Sequence, residues 1–207
     1  MNFPNRYSKP GNLRLGWAHV PGLSELVRPC NWWRFGARML RVRGKLGKFD
    51  ELTVPPVGRS PDWECWSDRI SWAEGQLHGR RDSEFLAWRF EAHPLHRYHV
   101  ISHKDGAIVG RIGQRGGLRE YRTAAWLGDA AWDPATVAGC IRQATQVHSL
   151  DFVSTKLHRH HPAYTALRRN GFLPLKSNSS FVAKPMSVAM PLDRVRWAIE
   201  GADKDTW

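Results

Sequence analysis

The sequence predicts a mixed α/β fold whose strands are joined by both hairpin and crossover connections. Two β-type runs, "YHVIS" at 98–102 and "AIVGRIG" at 107–113, flank Asp105-Gly106, a dipeptide typical of tight hairpin turns. Later, "DPATVAGCIRQATQVHSL" at 133–150 has helical periodicity and lies between two further β-type runs. A hairpin and a strand–helix–strand unit in one chain favour a sheet with antiparallel and parallel pairs.

The remaining elements follow from caps and breakers. A helix is predicted over 82–93, because Asp82 or Ser83 can cap its start and Pro94 follows its end. Asp133 and Pro134 begin the helix of 133–150. In "HHPAYTALRRNGF", Pro162 suits a first helical turn and Gly171 can take the left-handed conformation that ends a helix. The predicted order is helix, hairpin, strand, helix, strand, helix, strand, strand, the later strands being "YRTAAWLGDAAW", "FVSTKL", "FLPLKS" and "FVAKPMS".

Positive charge is concentrated near the start of the chain. The 207 residues carry a formal net charge of +12. Residues 1–60 hold 11 Lys/Arg and 3 acidic residues, so +8 of that charge lies there. Within them, 31–48 predicts a basic amphipathic helix, with Trp32, Phe35 and Met39 toward the protein and the arginines outward. Such a face could lie in solvent, bind an anionic membrane or follow nucleic-acid phosphates.

Composition also predicts the organisation of the chain. "VPPVGRSP" at 54–61 is linker-like, which divides the chain into a basic segment, 1–60, and a globular domain, 61–207. No apolar run reaches the roughly 20 residues that span a bilayer, and no signal segment opens the sequence. Three widely separated cysteines fit a reducing compartment. We therefore expect a cytoplasmic protein.

The order of elements resembles the GNAT (N-acetyltransferase-like) acyltransferase superfamily. Its core is a hairpin, a central strand, a helix, a parallel strand, a second helix ending in Gly-Phe and a closing strand pair. "PAYTALRRNGF" is similar to that second helix, and "RDSEFLAWRFEAHPLHRYHV" and "WAIEGADKDTW" are similar to FemAB-like/GNAT proteins of bacterial polysaccharide-biosynthesis loci. The resemblance covers about 65–207 and implies a V-shaped cleft between the central strand and the parallel strand after it.

A second, shorter similarity lies at the start of the chain. When Gly16-Trp17 is aligned with Gly171-Phe172, Ser8 falls on Ala163 and Asn5 on His160. Asparagine is common in the superfamily at that last position. The match suggests that the chain begins inside an upstream GNAT-like module. Chance similarity of a Gly-aromatic stretch is the alternative.

The resemblance implies a base that deprotonates the acceptor and an acid that protonates the departing thiolate. Asp129, at the end of the central strand, is the predicted base, and its alternative role is that of a turn or capping residue. The superfamily's acid is often a tyrosine four residues before the helix-ending glycine, which here is Leu167. Tyr164 lies one turn earlier and is the predicted acid, with packing on the sheet as its alternative.

Donor binding is implied at the start of the helix after the central strand. Backbone N–H groups near Ala135 and Thr136 would bind the pyrophosphate of acyl-CoA, and Trp132 would border the cleft. His160 occupies the place of the superfamily's asparagine and could donate a similar hydrogen bond. The usual Gln/Arg-x-x-Gly-x-Gly/Ala signature is missing here, and a capping Asp133 would repel phosphate.

The histidines of "LHRHH" at 157–161 suggest a metal cluster, but no distant Cys/His pair completes a zinc site, so no metal is predicted. The leading functional hypothesis is acyl transfer from acyl-CoA or a similar donor to an amine or hydroxyl. By resemblance alone, the acceptor is a cell-surface sugar or its precursor. The alternative is a non-catalytic GNAT-like module that binds nucleic acid or an anionic membrane through 31–48.

Overall fold

The computed structural model of the chain describes residues 7–42, 46–55, 61–72, 74–129, 132–175, 181–184, 192 and 195–200. The helices are α1 Ser8–Arg14, α2 Trp32–Arg41, α3 Trp63–Arg69, α4 Ser83–Leu86, α5 Pro134–His148 and α6 Ala163–Arg169, and a π-helical turn, Ala87–Glu91, continues α4. The strands are β1 Ala18–His19, β2 Leu23–Pro29, β3 Phe49–Glu51, β4 Gln76–His78, β5 His99–His103, β6 Gly106–Arg115, β7 Leu118–Leu127, β8 Phe152–His158, β9 Leu173–Leu175, β10 Val182–Ala183 and β11 Arg196–Ala198.

The mixed α/β fold class is confirmed. Within the described residues, seven strands form one mixed sheet in the order β3-β6-β7-β8-β2-β9, and β5 pairs with the first half of β6. The predicted hairpin is present as β5 and β6, which pair antiparallel from His99↔Gly110 to His103↔Gly106. The next turn, Gly116-Gly117, has both φ angles positive, +62° and +79°, which favours glycine there.

The predicted crossover is also present. Strand β8 runs parallel to β7, and α5 connects them. The helix begins as the sequence predicts, since the Asp133 carboxylate accepts the backbone N–H of Ala135 at 3.1 Å. The sheet and α5 share a buried apolar core that includes Ile108, Val137 and Val153.

Two strands from residues 1–60 belong to this sheet. Strand β2 pairs antiparallel with β8 along its whole length, Leu23↔His158 to Pro29↔Phe152. Its other edge pairs with β9, so a segment from near the start of the chain separates β8 from β9. Strand β3 pairs with the end of β6. In the predicted boundary at 54–61, residues 56–60 lie outside the described residues.

Buried charges fix the position of β2. Arg115 on β6 contacts Glu25 on β2 at 2.5 Å and Glu120 on β7 at 2.8 Å, and all three side chains are buried. Lys156 on β8 lies 3.8 Å from Glu25. Removing either partner of a buried pair would leave an uncompensated charge, so this network favours one register of β2.

The helix ends that were aligned on sequence have the same backbone geometry. Helix α1 begins at Ser8 and α6 at Ala163, and the glycines after them, Gly16 and Gly171, have φ angles of +83° and +78°. After each glycine the next N–H bonds back into the helix, Trp17 to Asn12 at 3.1 Å and Phe172 to Leu167 at 3.2 Å. Asn5 lies outside the described residues. An upstream GNAT-like module stays a prediction.

The basic helix differs from the sequence-based expectation in length and orientation. It covers Trp32–Arg41 rather than 31–48, and Gly47 has a left-handed φ of +81° that a helix cannot contain. Phe35 is buried and Met39 packs against the same cluster, as predicted. The inward orientation of Trp32 is wrong, because its side chain is 61% exposed. The helix meets the sheet through Phe35 and Met39 instead.

Strand β7 bends away from β8 partway along its length. The pairing of β6 with β7 shifts between Val109↔Ala125 and Gly110↔Thr123, which leaves Ala124 as an extra residue in a bulge. Pairing of β7 with β8 stops at Thr123↔Thr155, although the strands continue to Leu127 and His158. The bulge therefore coincides with a divergence of the two central parallel strands. None of the helices in the described part of the chain is long and apolar enough to cross a membrane.

Gly110 makes the bulge possible, and its substitution tests that dependence. A Cβ on Gly110 would lie 2.6 Å from the carbonyl oxygen of Arg122 and would also contact the buried ring of Tyr121. We expect Gly110→Ala to lower the free energy of unfolding by about 1–3 kcal/mol in urea titrations. Gly36→Ala is the control, since a Cβ there meets no atom within 4 Å and should stabilise α2 by about 0.5–1 kcal/mol. A neutral Gly110→Ala would show that the bulge does not depend on close backbone approach.

Candidate functional site

The gap between β7 and β8 holds the carboxylate of Glu200. Its Oε2 accepts the backbone N–H of Trp126 on β7 at 2.9 Å. On the other side, Leu157 of β8 forms an antiparallel bridge with Glu200, and His158 donates its N–H to the Ile199 carbonyl at 2.8 Å. Residues 195–200, which we call the C-terminal segment, therefore form hydrogen bonds with backbone groups of β7 and β8 that the two strands no longer bond to each other.

This segment is anchored outside the gap as well. Strand β11 pairs parallel with β4, from Arg196↔Gln76 to Ala198↔His78. Trp197 and Ile199 are buried in an apolar cluster with Phe181 and Val20. The gap is thus filled by a packed strand end rather than by a loosely placed side chain.

Arg81 neutralises Glu200 inside the fold. Its Nε and Nη2 lie 3.2 Å and 3.1 Å from Oε1 of Glu200, and both side chains are buried. A further nitrogen, Nη1, donates to the Arg80 carbonyl at 2.8 Å. The guanidinium stands over the ring of Phe85 at 5.4 Å. A buried ion pair is tolerated when its remaining donors are satisfied in this way.

His161 completes the cluster. Its Nδ1 accepts the N–H of Ala163 at 3.2 Å, so the neutral ring carries its proton on Nε2. That nitrogen lies 3.5 Å from Oε2 of Glu200, a distance for electrostatic attraction more than for a full hydrogen bond. The edge of Trp72 packs against His161, with ring centroids 5.7 Å apart.

The electrostatics of Glu200 suit an anchor. Burial acts to raise the pKa of Glu200, but Arg81, His161 and the Trp126 amide outweigh it and lower the pKa below the ordinary 4.5. Glu200 is therefore a carboxylate at neutral pH. A general base works best with a pKa near the operating pH, so this carboxylate is poorly suited to proton abstraction.

The predicted base, Asp129, is exposed. It follows Gly128 at the end of β7, and its carboxylate accepts the hydroxyl of Ser71. Ser71 directly precedes Trp72, so the segment between α3 and β4 contacts both Asp129 and His161. Asp129 is thus linked to His161 indirectly, through the adjacent residues Ser71 and Trp72.

Three of the predicted donor-binding residues lie at or just before the start of α5, and the fourth, His160, follows β8. Trp132 packs edge-on against Trp126, with centroids 5.5 Å apart. The Ala135 N–H is already bound by the Asp133 carboxylate at 3.1 Å, and Thr136 is buried. A pyrophosphate at these amides would have to displace a carboxylate of its own sign.

The predicted acid, Tyr164, is half-buried on α6 and packs against the main core cluster. Leu167, at the superfamily's usual tyrosine position, is fully buried in that cluster. The structure therefore leaves Tyr164 in a packing position on α6.

The histidines of "LHRHH" have separate partners. Nε2 of His158 lies 2.9 Å from the Pro21 carbonyl, and its Nδ1 accepts the His160 N–H at 3.3 Å. The side-chain amide of Gln76 donates a hydrogen bond to the backbone carbonyl of His160 at 2.7 Å. Desolvation, Arg159 and Arg196 lower the pKa of His160. Within the described residues, no group of three or more His, Cys, Asp or Glu side chains could hold a metal ion.

Sequence reasoning missed Glu200, Arg81 and His161 as one cluster. The stretches "HGRRDSEF" and "WAIEG" contain two of them, and an acid directly after the apolar run Trp197–Ile199 was the available signal. A carboxylate there must find a buried cation. Which arginine supplies it depends on tertiary contacts between residues far apart in sequence.

The Glu200 anchor predicts a pH-dependent contribution to stability. Because its pKa is lowered by folding, its contribution is present above about pH 4.5 and is lost as pH falls through the folded-state value. We expect Glu200→Gln to cost about 2 kcal/mol or more at pH 7 and progressively less below pH 4.5, in urea unfolding. Glu84→Gln, which affects an exposed pair with Arg80, should cost under about 0.5 kcal/mol. Equal costs for both variants would contradict the anchor.

Comparison with models of protein families, with curated proteins and with solved structures finds no match to this chain. The resemblance to the GNAT superfamily therefore stays a prediction from residue pattern and element order.

Proposed function

We propose that the protein is an acyltransferase that moves an acyl group from acyl-CoA, or a similar activated donor, to an amine or hydroxyl. The observation that supports this proposal is the divergence of β7 from β8 at the Ala124 bulge. It lies where the resemblance to GNAT enzymes implies a donor cleft. By the same resemblance, the acceptor is a cell-surface sugar precursor.

In this proposal Asp129 is the base. It takes a proton from the acceptor as the acceptor nitrogen or oxygen attacks the thioester carbon. The C–S bond then breaks, and Tyr164 returns a proton to the thiolate. The hydrogen bond from Ser71 orients the Asp129 carboxylate. Tyr164 must leave its packing position on α6 to serve as the acid.

A donor in this cleft competes with the chain itself. The Trp126 N–H and the edge of β8 are held by Glu200 and Ile199, so the segment must withdraw before a thioester can reach them. The apparent affinity for the donor equals the affinity of the open form multiplied by the fraction of molecules that are open, so a small open fraction weakens binding. Weakening the segment without unfolding the domain should therefore tighten donor binding.

A non-catalytic GNAT-like module is the second candidate. It is favoured by the buried carboxylate of Glu200 in the gap and by the Asp133 carboxylate on the Ala135 amide. Both groups occupy places that an anionic donor would need. Such a module would act through its basic surface.

Thermal melts and turnover separate the two candidates. Acetyl-CoA and longer acyl-CoAs should raise the midpoint of wild-type protein, because a ligand that binds the native state stabilises it. ADP, a smaller anion, controls for general attraction to a chain of net charge +12. With amino-sugar acceptors, Asp129→Asn should lower kcat by about 10²–10⁴ while the donor shift persists, and exposed Asp68→Asn should change neither.

The Glu200→Gln variant extends this test. If the segment competes with the donor, half-saturation should occur at a lower acyl-CoA concentration than in wild type. An absence of any shift and any turnover in both proteins would remove the acyltransferase proposal and leave the non-catalytic module.

A further inference from the structure

Helix α2 presents apolar side chains to solvent on one side. Trp33 is 91% exposed and Leu40 is 83% exposed, and seven positions apart they lie on the same helical face. Exposed Ala37 lies between them, and exposed Trp32 borders them. Scattered single apolar residues are normal on a protein surface, but a run along one helix indicates an interaction site.

The opposite side of α2 fixes this orientation. Phe35 packs on Phe152 with ring centroids 5.3 Å apart, and Met39 joins the same cluster. The helix start is tied as well, since Asn31 caps it and the N–H groups of Cys30 and Asn31 both bond to the Asp151 carbonyl. Rotation of the tryptophans inward would therefore remove an existing core contact.

Cations border the apolar stripe. Between Leu26 and Phe49 the sequence has seven Lys/Arg and no Asp or Glu. Arg41 is exposed beside Leu40, and Arg34 is exposed while pairing with the buried carboxylate of Asp151 at 2.9 Å. An apolar ridge with basic flanks matches the boundary between acyl chains and anionic headgroups, where tryptophan is also favoured.

The arrangement of charges favours lipid over nucleic acid. A helix that binds phosphates presents mainly cations to its ligand, whereas the exposed side of α2 also presents Trp33 and Leu40, which are 91% and 83% exposed. Arg38 has its Nε buried, and Leu40 cannot stack on a base.

We infer that α2 docks on an anionic lipid surface, with Trp33 and Leu40 inserted and Arg41 on the headgroups. The inference does not depend on catalysis in the β7–β8 gap, because it uses a separate set of residues. Such docking does not require a membrane-spanning segment.

Cosedimentation of the full chain with vesicles tests this docking. The vesicles are phosphatidylcholine with about one third phosphatidylglycerol, and pure phosphatidylcholine is the neutral control. The double variant Trp33→Ser, Leu40→Ser should bind the anionic vesicles at least about tenfold less tightly, while exposed Leu95→Ser binds like wild type. Circular dichroism and thermal midpoints confirm that each variant is folded.

Two charge-reversal variants test the role of the cations in binding. Arg41→Glu should weaken binding several-fold at low salt, and more than Arg142→Glu, which makes the same charge change at an exposed position on α5. Equal losses in these two variants, or full binding by the double variant, would overturn the inference. Random-sequence duplex DNA is tested as a competitor. If this DNA displaces the vesicles from wild-type protein, and if the double variant still binds the DNA, the inference is overturned in favour of nucleic-acid binding.

Discussion

The backbone N–H of Trp126 is the group on which the centre of this fold depends. The bulge at Ala124 turns β7 away from β8, so this N–H has no acceptor on the neighbouring strand. A buried amide without an acceptor costs free energy comparable to a lost hydrogen bond. Glu200 supplies the acceptor, but a buried carboxylate is itself costly unless it is paired. Arg81 therefore becomes part of the same requirement, and β11 becomes necessary to place Glu200.

Two buried charge clusters act at opposite ends of the central strands. At the start of β7, Glu120, Arg115 and Glu25 link β6, β7 and β2. At its far end, Glu200 and Arg81 fill the place where the sheet opens. Buried pairs of this kind add little net stability, but each leaves a large penalty when its geometry is lost. We attribute to these pairs the register of β2 and the filling of the β7–β8 gap by Glu200. The apolar core between the sheet and α5 supplies most of the stability.

Local sequence signals predicted the elements that depend on neighbouring residues. Asp105-Gly106 located the first hairpin, Asp133 the start of α5, and Gly171 the end of α6, because turns and caps are formed by residues close in sequence. Insertion of β2 between β8 and β9 was not predictable in this way, since strand pairing across such a sequence distance leaves no local pattern. The side of α2 that is buried also depended on Phe152, which lies far away in the chain.

Only part of the candidate site could be predicted from sequence, because only part of it depends on neighbouring residues. Asp129 could be placed at a strand end from sequence, whereas Glu200 and its partners meet only in the folded chain. Hydrogen exchange of the Trp126 amide is the most direct test of the closed gap. We predict slow exchange of the Trp126 amide in wild type and much faster exchange in Glu200→Ala. Exchange of the Val109 amide on β6, which pairs with β7, should be the same in both proteins. Rapid exchange of Trp126 in wild type, or equal protection in both proteins, would contradict the account.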